Sequence, residues 1–209
     1  MGSTNNTVVL ATRNQHKVQE IRALVADLAI TFLSLSDFSD LPDVVEDGST
    51  CEENAVKKAR ETAVETGHWA LADDTGLEVD ALDGRPGVYA ARYAGEHATY
   101  ADNCEKLLKE LKDIPVEQRG ARFLTVMALS DPQGQIEVVE GELQGQITEQ
   151  FYGGHGFGYD PVFYVPKANK TLAEMELSEK NEISHRGQAL WLVKDLLKRR
   201  LESTPSVGA

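Results

Sequence analysis

VVLATRNQHKVQEIRALV, residues 8–25, decides the fold class, because an apolar segment passes through a short polar turn into an amphipathic helix. Residues 8–11 have the composition of a buried strand. After the turn, apolar side chains recur at the spacing of one helical face, at Val18, Ile21, Leu24, Val25 and Leu28. A strand that leads into a helix is the repeating unit of α/β proteins, so we expect an α/β fold.

Periodicity and turn residues predict the remaining elements in the same way. Further helices are expected over residues 52–66, 99–111, 172–178 and 184–201. Further strands are expected over residues 69–72, 77–82, 88–93, 122–130, 135–150 and 162–165. Asp-Pro-Gln-Gly, a strong hairpin turn, joins the two longest of these strands. The elements predict one domain over residues 1–202, with a mixed β-sheet flanked by helices, and a disordered tail over residues 203–209.

The composition limits the kinds of partner. The chain has 209 residues, of which 41% are hydrophobic, enough for a sizeable core. Its 34 acidic and 21 basic residues give a net charge of −13, a field that repels DNA and RNA. A phosphate-bearing ligand would therefore need a divalent cation and a local basic cluster. No apolar run is long enough to span a membrane, and Cys51 and Cys104 stand apart, as is typical of a reduced cytoplasmic protein.

The first candidate site is the turn Thr-Arg-Asn-Gln-His-Lys at residues 12–17. The backbone N–H groups at a helix start can bind anions, and Lys17 adds a full positive charge. The glycines of a Walker phosphate loop are absent. The alternative is an ordinary connection in which Thr12 or Asn14 caps the helix, and the spacing alone slightly favours this alternative.

The second and third candidate sites are carboxylates. Thr50 and Glu53 have the spacing of a capping box, which explains the glutamate without any metal, and Asn54 follows as a first-turn residue. Asp73 and Asp74 end an apolar segment and are expected to break its strand. Two charges there are costly unless they are used, which favours a functional role. Adjacent strand residues point to opposite faces, so one aspartate should face a site while the other bonds the turn.

The fourth candidate site combines GGHGFGYDPVFYVP, residues 153–166, with EKNEISHRGQAL, residues 179–190. The glycines permit close approach of the backbone to a ligand, and Phe157 and Tyr159 could stack on a base. Donors for anionic oxygens are Lys180, His185 and Arg186. An aromatic residue beside Pro161 is more often part of a core, and a charged helix start is often only solvated. The concentration of these residues in an acidic chain favours a nucleotide site.

Taken together, these motifs resemble those of the inosine/xanthosine triphosphate pyrophosphatase family, which removes deaminated purine nucleotides. The similar segments are ATRNQHKVQEI, STCEENAVKKA, ALADDTGLEVDALDGRPGVYAARYAG, FLTVMAL, GHGFGYDPVFYVP and KTLAEMELSEKNEISHRGQAL. They follow the family's order across residues 8–201, with one departure at Cys51, where the family usually has phenylalanine. The resemblance implies an elongated mixed sheet with two lobes and a substrate cleft between them, in a Mg²⁺-dependent homodimer. It also implies cleavage of ITP, dITP or XTP to a nucleoside monophosphate and pyrophosphate.

The resemblance also implies a role for each matching residue. The triphosphate would be bound by Thr12, Arg13, Asn14, Gln15, His16 and Lys17. Mg²⁺ would be bound by Glu53 and Asp74. Asp74 would also be the catalytic residue that accepts the proton of the attacking water, with Asp73 as a helper. The wall of the base site would be formed by Phe157, Gly158, Tyr159 and Asp160, with Thr75 touching the substrate nearby. The pocket would be completed by Lys180, His185 and Arg186.

Two other functions fit the same motifs. A pyrophosphatase for other modified nucleotides, pyrimidines included, would have a related fold, although the GFGYD and SHR segments favour purines. A nucleotide-binding sensor would not hydrolyse its ligand, but the presence of both Glu53 and Asp74 argues against this alternative. Release of pyrophosphate in the presence of Mg²⁺ would distinguish the enzyme from the sensor.

Overall fold

The computed structural model describes residues 6–202, so the predicted tail at 203–209 lies outside the described residues. The helices are α1 (Gln15–Val25), α2 (Cys51–Thr66), α3 (Tyr100–Glu110), α4 (Leu177–Ile183) and α5 (His185–Leu197). The strands are β1 (Thr7–Leu10), β2 (Thr31–Ser34), β3 (Trp69–Val79), β4 (Pro86–Gly87), β5 (Gly120–Ser130), β6 (Ile136–Ile147), β7 (Phe163–Val165) and β8 (Lys170–Thr171). A short π-helical turn, Lys198–Glu202, follows α5. No helix of the described part of the chain is long and apolar enough to cross a membrane.

The strands form one sheet in the order β2-β1-β3-β5-β6-β7-β8, with β4 paired to β3. β1 is parallel to both of its neighbours, so that Val8 lies opposite Phe32 on β2 and opposite Trp69 on β3. β4 is antiparallel to β3, and β7 is antiparallel to both β6 and β8. The predicted mixed sheet flanked by helices is therefore confirmed.

The chain divides into two compact units. Among the described residues, the first unit comprises residues 6–74, 126–140 and 189–202, and the second comprises residues 75–125 and 141–188. Each has its own apolar core. The first core includes Val18 and Ile21 of α1 and Val193 of α5, and the second includes Leu107 of α3 and Phe163 of β7. The predicted substrate cleft stays a prediction.

Local capping explains where two of the helices begin. Thr50 accepts a hydrogen bond from the backbone of Glu53, whose carboxylate accepts one in return, as the capping-box spacing predicts. Thr99 and Asp102 form the same arrangement at the start of α3. α2 ends where Gly67 adopts a left-handed conformation, with φ of 66°. These predicted boundaries are confirmed to within one residue.

The prediction that the aspartates break a strand is wrong. Trp69–Val79 is one continuous strand, and Asp73 and Asp74 lie in its interior. It is supported along its length because its first residues pair with β1 and Leu77 pairs with β4. The predicted strand at residues 88–93 is also wrong. Pro86–Gly87 forms the short pairing strand instead, and the chain then turns through a 3₁₀ helix at Ala90–Arg92.

The helix predicted over residues 172–178 is split in two. A 3₁₀ turn at Leu172–Glu174 comes first, and α4 begins at Leu177. The turn is closed by a capping box between Thr171 and Glu174, which fixes the chain direction before α4. Strand β2 is not among the predicted strands, and its Phe32 and Leu33 are only partly buried.

Candidate active site

The turn before α1 caps the helix and also brings Lys17 to strand β3. Asn14 caps the helix by accepting hydrogen bonds from the backbone N–H groups of His16 and Lys17, so the capping alternative is confirmed. The side chain of Lys17 forms an ion pair with Asp73 on β3, whose Oδ2 lies 3.0 Å from its Nζ. The structure therefore places one positive charge of this turn beside the aspartate pair.

The other polar side chains of this turn are used within the protein. The guanidinium of Arg13 donates to Asp43 and to the carbonyl oxygens of Leu35 and Leu41, so it fastens the segment after β2. Gln15 donates to the carbonyl of Arg13 and to the hydroxyl of Ser36. Thr12 accepts a hydrogen bond from the backbone of Asn14, and His16 is exposed. Phosphate contacts by these four residues remain predictions.

Asp74 is buried against α2, at 7% exposure. Nδ2 of Asn54 donates to its Oδ2 over 3.2 Å, and Nζ of Lys58 lies 3.5 Å from its Oδ1. Lys58 also donates to Oε1 of Glu46 and to the carbonyl oxygen of Asp73. The roles of Asn54, Lys58 and Glu46 were not predicted from the sequence. The signal was present for two of them, because residues 54 and 58 are four apart on a helix and share a face.

Burial and neighbouring charges both act on the carboxyl group of Asp74. Burial raises the pKa of its carboxyl above the ordinary value; Lys58 opposes this shift and the charge of Glu46 adds to it. Burial by itself would lower the pKa of the Lys58 ammonium, but Asp74, Glu46 and Asp73 together raise it. The ionised form of the Asp74 carboxylate is therefore disfavoured by its burial, and an additional positive charge nearby would favour it.

Glu53, the second predicted metal ligand, caps the N-terminus of α2. Its Oε2 accepts hydrogen bonds from the backbone and the hydroxyl of Ser49 and from the backbone of Thr50, and these bonds lower the pKa of its carboxyl. Its side chain is exposed, whereas Asp74 is buried. Glu53 thus acts as the cap that its spacing predicts. Whether it also binds a metal stays a prediction.

The donor set suits a hard divalent cation. Among residues 6–202, no three histidine, cysteine, aspartate or glutamate side chains come together as a preformed metal cage. Mg²⁺ does not need one, because it is usually held by one or two carboxylates and keeps water or phosphate oxygens as its other ligands. Asp74 and Glu46 supply two carboxylates close enough for the charge of one to raise the pKa of the other. The residues therefore fit Mg²⁺.

A buried ion pair organises the predicted base site in the second unit. Nζ of Lys180 lies 2.6 Å from Oδ2 of Asp160, and each side chain is 4% exposed. The same oxygen accepts the backbone N–H of Phe157 over 2.8 Å. Asp160 therefore ties the glycine-rich loop to α4. Cys104 of α3 adds a further tie by donating from its thiol to the carbonyl oxygen of Gly158.

The two aromatic residues of this loop have different environments. Phe157 is half-buried, and two cations face its ring, with Nζ of Lys180 at 5.0 Å and Cζ of Arg186 at 5.4 Å from the centroid. Tyr159 is 5% exposed and belongs to the apolar core, where its hydroxyl donates to the carbonyl of Ala90. Of the two rings proposed for stacking, the partly exposed one is Phe157, and Tyr159 supports the loop from inside.

Arg186 and His185 are both 3% exposed at the start of α5. Nη2 of Arg186 donates to Oγ1 of Thr75 over 3.2 Å, and that hydroxyl is also 2.7 Å from the hydroxyl of Thr125. The imidazole of His185 stacks on Phe123 at 4.4 Å between centroids. Thr75 is thus the strand residue to which Arg186 is anchored, and it directly follows Asp74 in the chain.

Some of the predicted site residues, together with Glu46, Asn54 and Lys58, form two clusters, one in each unit. The first, which we call the carboxylate cluster, contains Lys17, Glu46, Asn54, Lys58, Asp73 and Asp74. The second, which we call the ring cluster, contains Thr75, Phe157, Asp160, Lys180, His185 and Arg186. Consecutive residues of β3, Asp74 and Thr75, belong to the two clusters. The carboxylate cluster has the chemistry of a metal and phosphate site, and the ring cluster that of a site for an aromatic, hydrogen-bonding group.

The glycine-rich loop allows a first test by substitution. Gly156 has φ of 74°, and a Cβ atom there would collide with Oδ2 of Asp160. Gly156→Ala is therefore expected to lower the free energy of unfolding by about 1–3 kcal/mol. A Cβ atom at Gly154 would meet open space, so Gly154→Ala should change it by less than about 0.5 kcal/mol. Urea denaturation measures both, and equal stabilities would contradict the close packing at residue 156.

Comparison with known proteins gives matches over almost the whole chain. The model of the Ham1 family matches residues 8–196. A dITP/XTP pyrophosphatase of Geobacter sulfurreducens is 53% identical over 190 residues, which cover 91% of this chain and 96% of that protein. One of Leuconostoc mesenteroides is 52% identical over 186 residues, covering 88% and 92%. The structure of a HAM1 protein from Coxiella burnetii matches with a TM-score of 0.84 at 44% identity, covering 92% of this chain and 98% of that one.

Proposed function

Because the chain belongs to the Ham1 family, we propose that it hydrolyses deaminated purine nucleoside triphosphates to the nucleoside monophosphate and pyrophosphate. The relatives named dITP/XTP pyrophosphatase support dITP and XTP as substrates, and ITP has the same base as dITP. The observation that carries the proposal is the pair Asp74 and Thr75, two consecutive residues of β3. The first is a buried carboxylate held by Asn54 and Lys58, and the second is held by Arg186.

The carboxylate cluster would act on the triphosphate. Lys17 would neutralise charge on the phosphates as the bond breaks, because its ammonium already lies beside β3. Asp74 would accept the proton of the attacking water, a role that its raised pKa supports, since a carboxylate binds a proton more strongly when its pKa is higher. Asn54 and Lys58 would keep this carboxylate in one orientation.

We propose Asp74 and Glu46 as the carboxylates that hold Mg²⁺, with Glu53 as the alternative predicted from the sequence. When bound, the cation would draw negative charge from the phosphate oxygens and make an attacking water more acidic. Lys58 lies between the two carboxylates, 2.6 Å from Glu46 and 3.5 Å from Asp74. Its ammonium offsets part of the repulsion between them.

The ring cluster would bind the base. Phe157 offers a partly exposed ring face, and Arg186 is a donor that never loses its charge. Hypoxanthine and xanthine carry an acceptor oxygen at C6, whereas adenine carries an amino group. A donor that meets an amino group leaves both groups without a partner, which would disfavour ATP by roughly 1–3 kcal/mol. The predicted homodimer and cytoplasmic location remain predictions.

The proposed function is tested with a panel of nucleoside triphosphates. The purified protein is incubated with ITP, dITP, XTP, ATP and GTP, with and without Mg²⁺, and the products are separated by ion-exchange chromatography. We expect monophosphate and pyrophosphate in equal amounts from ITP, dITP and XTP, and slower turnover of ATP. Release of orthophosphate and diphosphate, or binding without hydrolysis, would overturn the proposal.

The metal assignment makes a separate prediction. Glu46→Gln should raise the Mg²⁺ concentration for half-maximal activity by about tenfold, because outer partners and ligands of metals typically contribute that much to affinity. Glu53→Gln should leave the Mg²⁺ dependence nearly unchanged, since glutamine can still cap a helix. Activity titrated with MgCl₂ measures both variants. The opposite result would make Glu53 the ligand and leave Glu46 as a partner of Lys58.

A further inference from the structure

The first residue of α3 brings a second aromatic ring to the ring cluster. The rings of Tyr100 and Phe157 lie 5.7 Å apart between centroids, with their planes inclined by 48°. Lys180 and Arg186 also face Phe157, at 5.0 and 5.4 Å from its centroid. Tyr100 is 41% exposed, whereas Phe157 is half-buried. The tyrosine is therefore the more accessible ring of this pair, which we call the two-ring surface.

Hydrogen bonds close to both rings fix the two-ring surface. Tyr100 directly follows the capping box that begins α3, so its backbone is held at the helix start. One turn later on the same helix face, the thiol of Cys104 donates to the carbonyl oxygen of Gly158. The neighbouring Phe157 donates its backbone N–H to Asp160. Helix α3 and the glycine-rich loop are therefore joined beside the rings, and the arrangement does not depend on a ligand.

The shape of this surface distinguishes purines from pyrimidines. A purine base has two fused rings, and stacking on one phenyl ring covers only one of them. Because the planes of Tyr100 and Phe157 are inclined, a purine stacked on Phe157 can meet Tyr100 with its second ring. Tilted contacts of this kind are favourable between aromatic rings. A pyrimidine has a single ring and would make only the first contact.

We propose that Tyr100 is a specificity-determining residue, which favours purine nucleotides by contacting the second ring of a base stacked on Phe157. The proposal rests on the proposed function, in which the ring cluster binds the base. Tyr100 is not among the residues that the family resemblance assigns to the site. If it served only to pack against the loop, its loss would weaken the binding of every nucleotide alike, whereas contact with the second ring predicts a loss confined to purines.

Three substitutions at Tyr100 separate ring contact from packing. Tyr100→Ala removes the ring, Tyr100→Leu keeps apolar volume without a ring, and Tyr100→Phe keeps the ring. Calorimetric titration with dIMP and dUMP measures binding of a purine and a pyrimidine monophosphate without any hydrolysis. We expect Kd for dIMP to rise about tenfold in the alanine and leucine variants, equivalent to 1.4 kcal/mol. Kd for dUMP should stay within about twofold, and Tyr100→Phe should bind both nucleotides like the native protein.

Three results would overturn the role of Tyr100. They are equal losses for dIMP and dUMP, a leucine variant that binds dIMP like the native protein, and a native protein that binds dUMP as tightly as dIMP. Trp191→Ala is the matched control, because Trp191 is also exposed and faces a cation, with Nζ of Lys194 at 5.1 Å, but lies outside the ring cluster. It should leave both Kd values unchanged, and a loss for dIMP equal to that of Tyr100→Ala would also contradict the proposal.

The same titrations keep this proposal apart from the proposed function. If the native protein does not hydrolyse dITP but Tyr100→Ala weakens dIMP alone, the purine contact exists and the proposed hydrolysis fails. If the native protein hydrolyses dITP and the ratio of the two Kd values is the same in Tyr100→Ala, only the role of Tyr100 is lost. Equal midpoints of thermal unfolding show that the variants are folded, as expected for substitutions of an exposed side chain.

Discussion

Asp74→Asn is expected to reduce kcat for dITP by about a thousandfold, within the range contributed by positioned acid and base groups. Asparagine keeps the shape of the side chain but cannot accept a proton, and it removes a negative charge that a metal would need. The effect should fall mainly on kcat, because the ring cluster and Lys17, which are the proposed substrate contacts, are unchanged. Steady-state release of pyrophosphate measures it, and near-normal turnover would remove Asp74 from the mechanism.

The same variant should remain folded. Burial raises the pKa of Asp74 above its unfolded value, so the ionised carboxylate costs the folded protein free energy that the unfolded chain does not bear. This cost disappears as the pH falls through the raised pKa, and asparagine removes it at every pH. Asp74→Asn is therefore expected to be at least as stable as the native protein in urea denaturation at pH 7.

Asp73→Asn is the matched comparison, because Asp73 precedes Asp74 on the same strand and is also buried. Its Oδ2 pairs with Lys17, whereas Asp74 contacts Asn54 and Lys58. We expect Asp73→Asn to change substrate binding through Lys17 more than it changes kcat. A larger loss of kcat in Asp73→Asn than in Asp74→Asn would reverse the roles of the two aspartates.

The helix boundaries could be predicted from the sequence because their causes are local. Thr50 and Glu53 are three residues apart, and so are Thr99 and Asp102, so each capping box forms from one short segment. The end of α2 depends on Gly67 alone, whose missing Cβ permits the left-handed conformation. No distant part of the chain is needed for these features.

Strand β3 could not be predicted because its support comes from distant segments. Two aspartates, a threonine and a glycine in succession are typical of a turn. The strand nevertheless continues through them, since β1 pairs with one half and β4 with the other, and Lys17 and Lys58 compensate the charges of Asp73 and Asp74. The predicted strand at residues 88–93 is wrong for a similar reason, because the pairing that places Pro86–Gly87 beside β3 depends on a separate segment of the chain.

Only part of the candidate site could be predicted from the sequence, because some of its residues depend on distant partners. Individual residues such as Lys17, Asp74 and Lys180 carry chemistry that is visible in the sequence, and each lies in one of the two clusters. The residues that pair with them and shift their pKa values could not be predicted from the sequence. Glu46 lies in a segment without regular structure, and its relation to Lys58 appears only after α2 packs beside β3.

The largest loss of stability is expected from Lys180→Met. This substitution leaves the Asp160 carboxylate buried without its ammonium partner, and removing one member of a buried ion pair typically costs about 3–5 kcal/mol. Oδ2 of Asp160 would keep its bond from the backbone of Phe157, which is too little to compensate a full charge. Urea denaturation measures the loss, and KM for dITP should rise as the loop that carries Phe157 loosens.

Two further variants test whether the loss of stability in Lys180→Met comes from the burial of the ion pair or from its charge. Lys170 pairs with Glu179 over 3.0 Å in the same unit, but both side chains are about 40% exposed, so Lys170→Met should cost less than about 1 kcal/mol. The double variant Lys180→Met with Asp160→Asn should recover most of the stability lost in Lys180→Met, because a neutral pair leaves no charge uncompensated. Equal losses for Lys180→Met and Lys170→Met would mean that the Asp160 carboxylate finds water or another partner, and the pair would then not organise the base site.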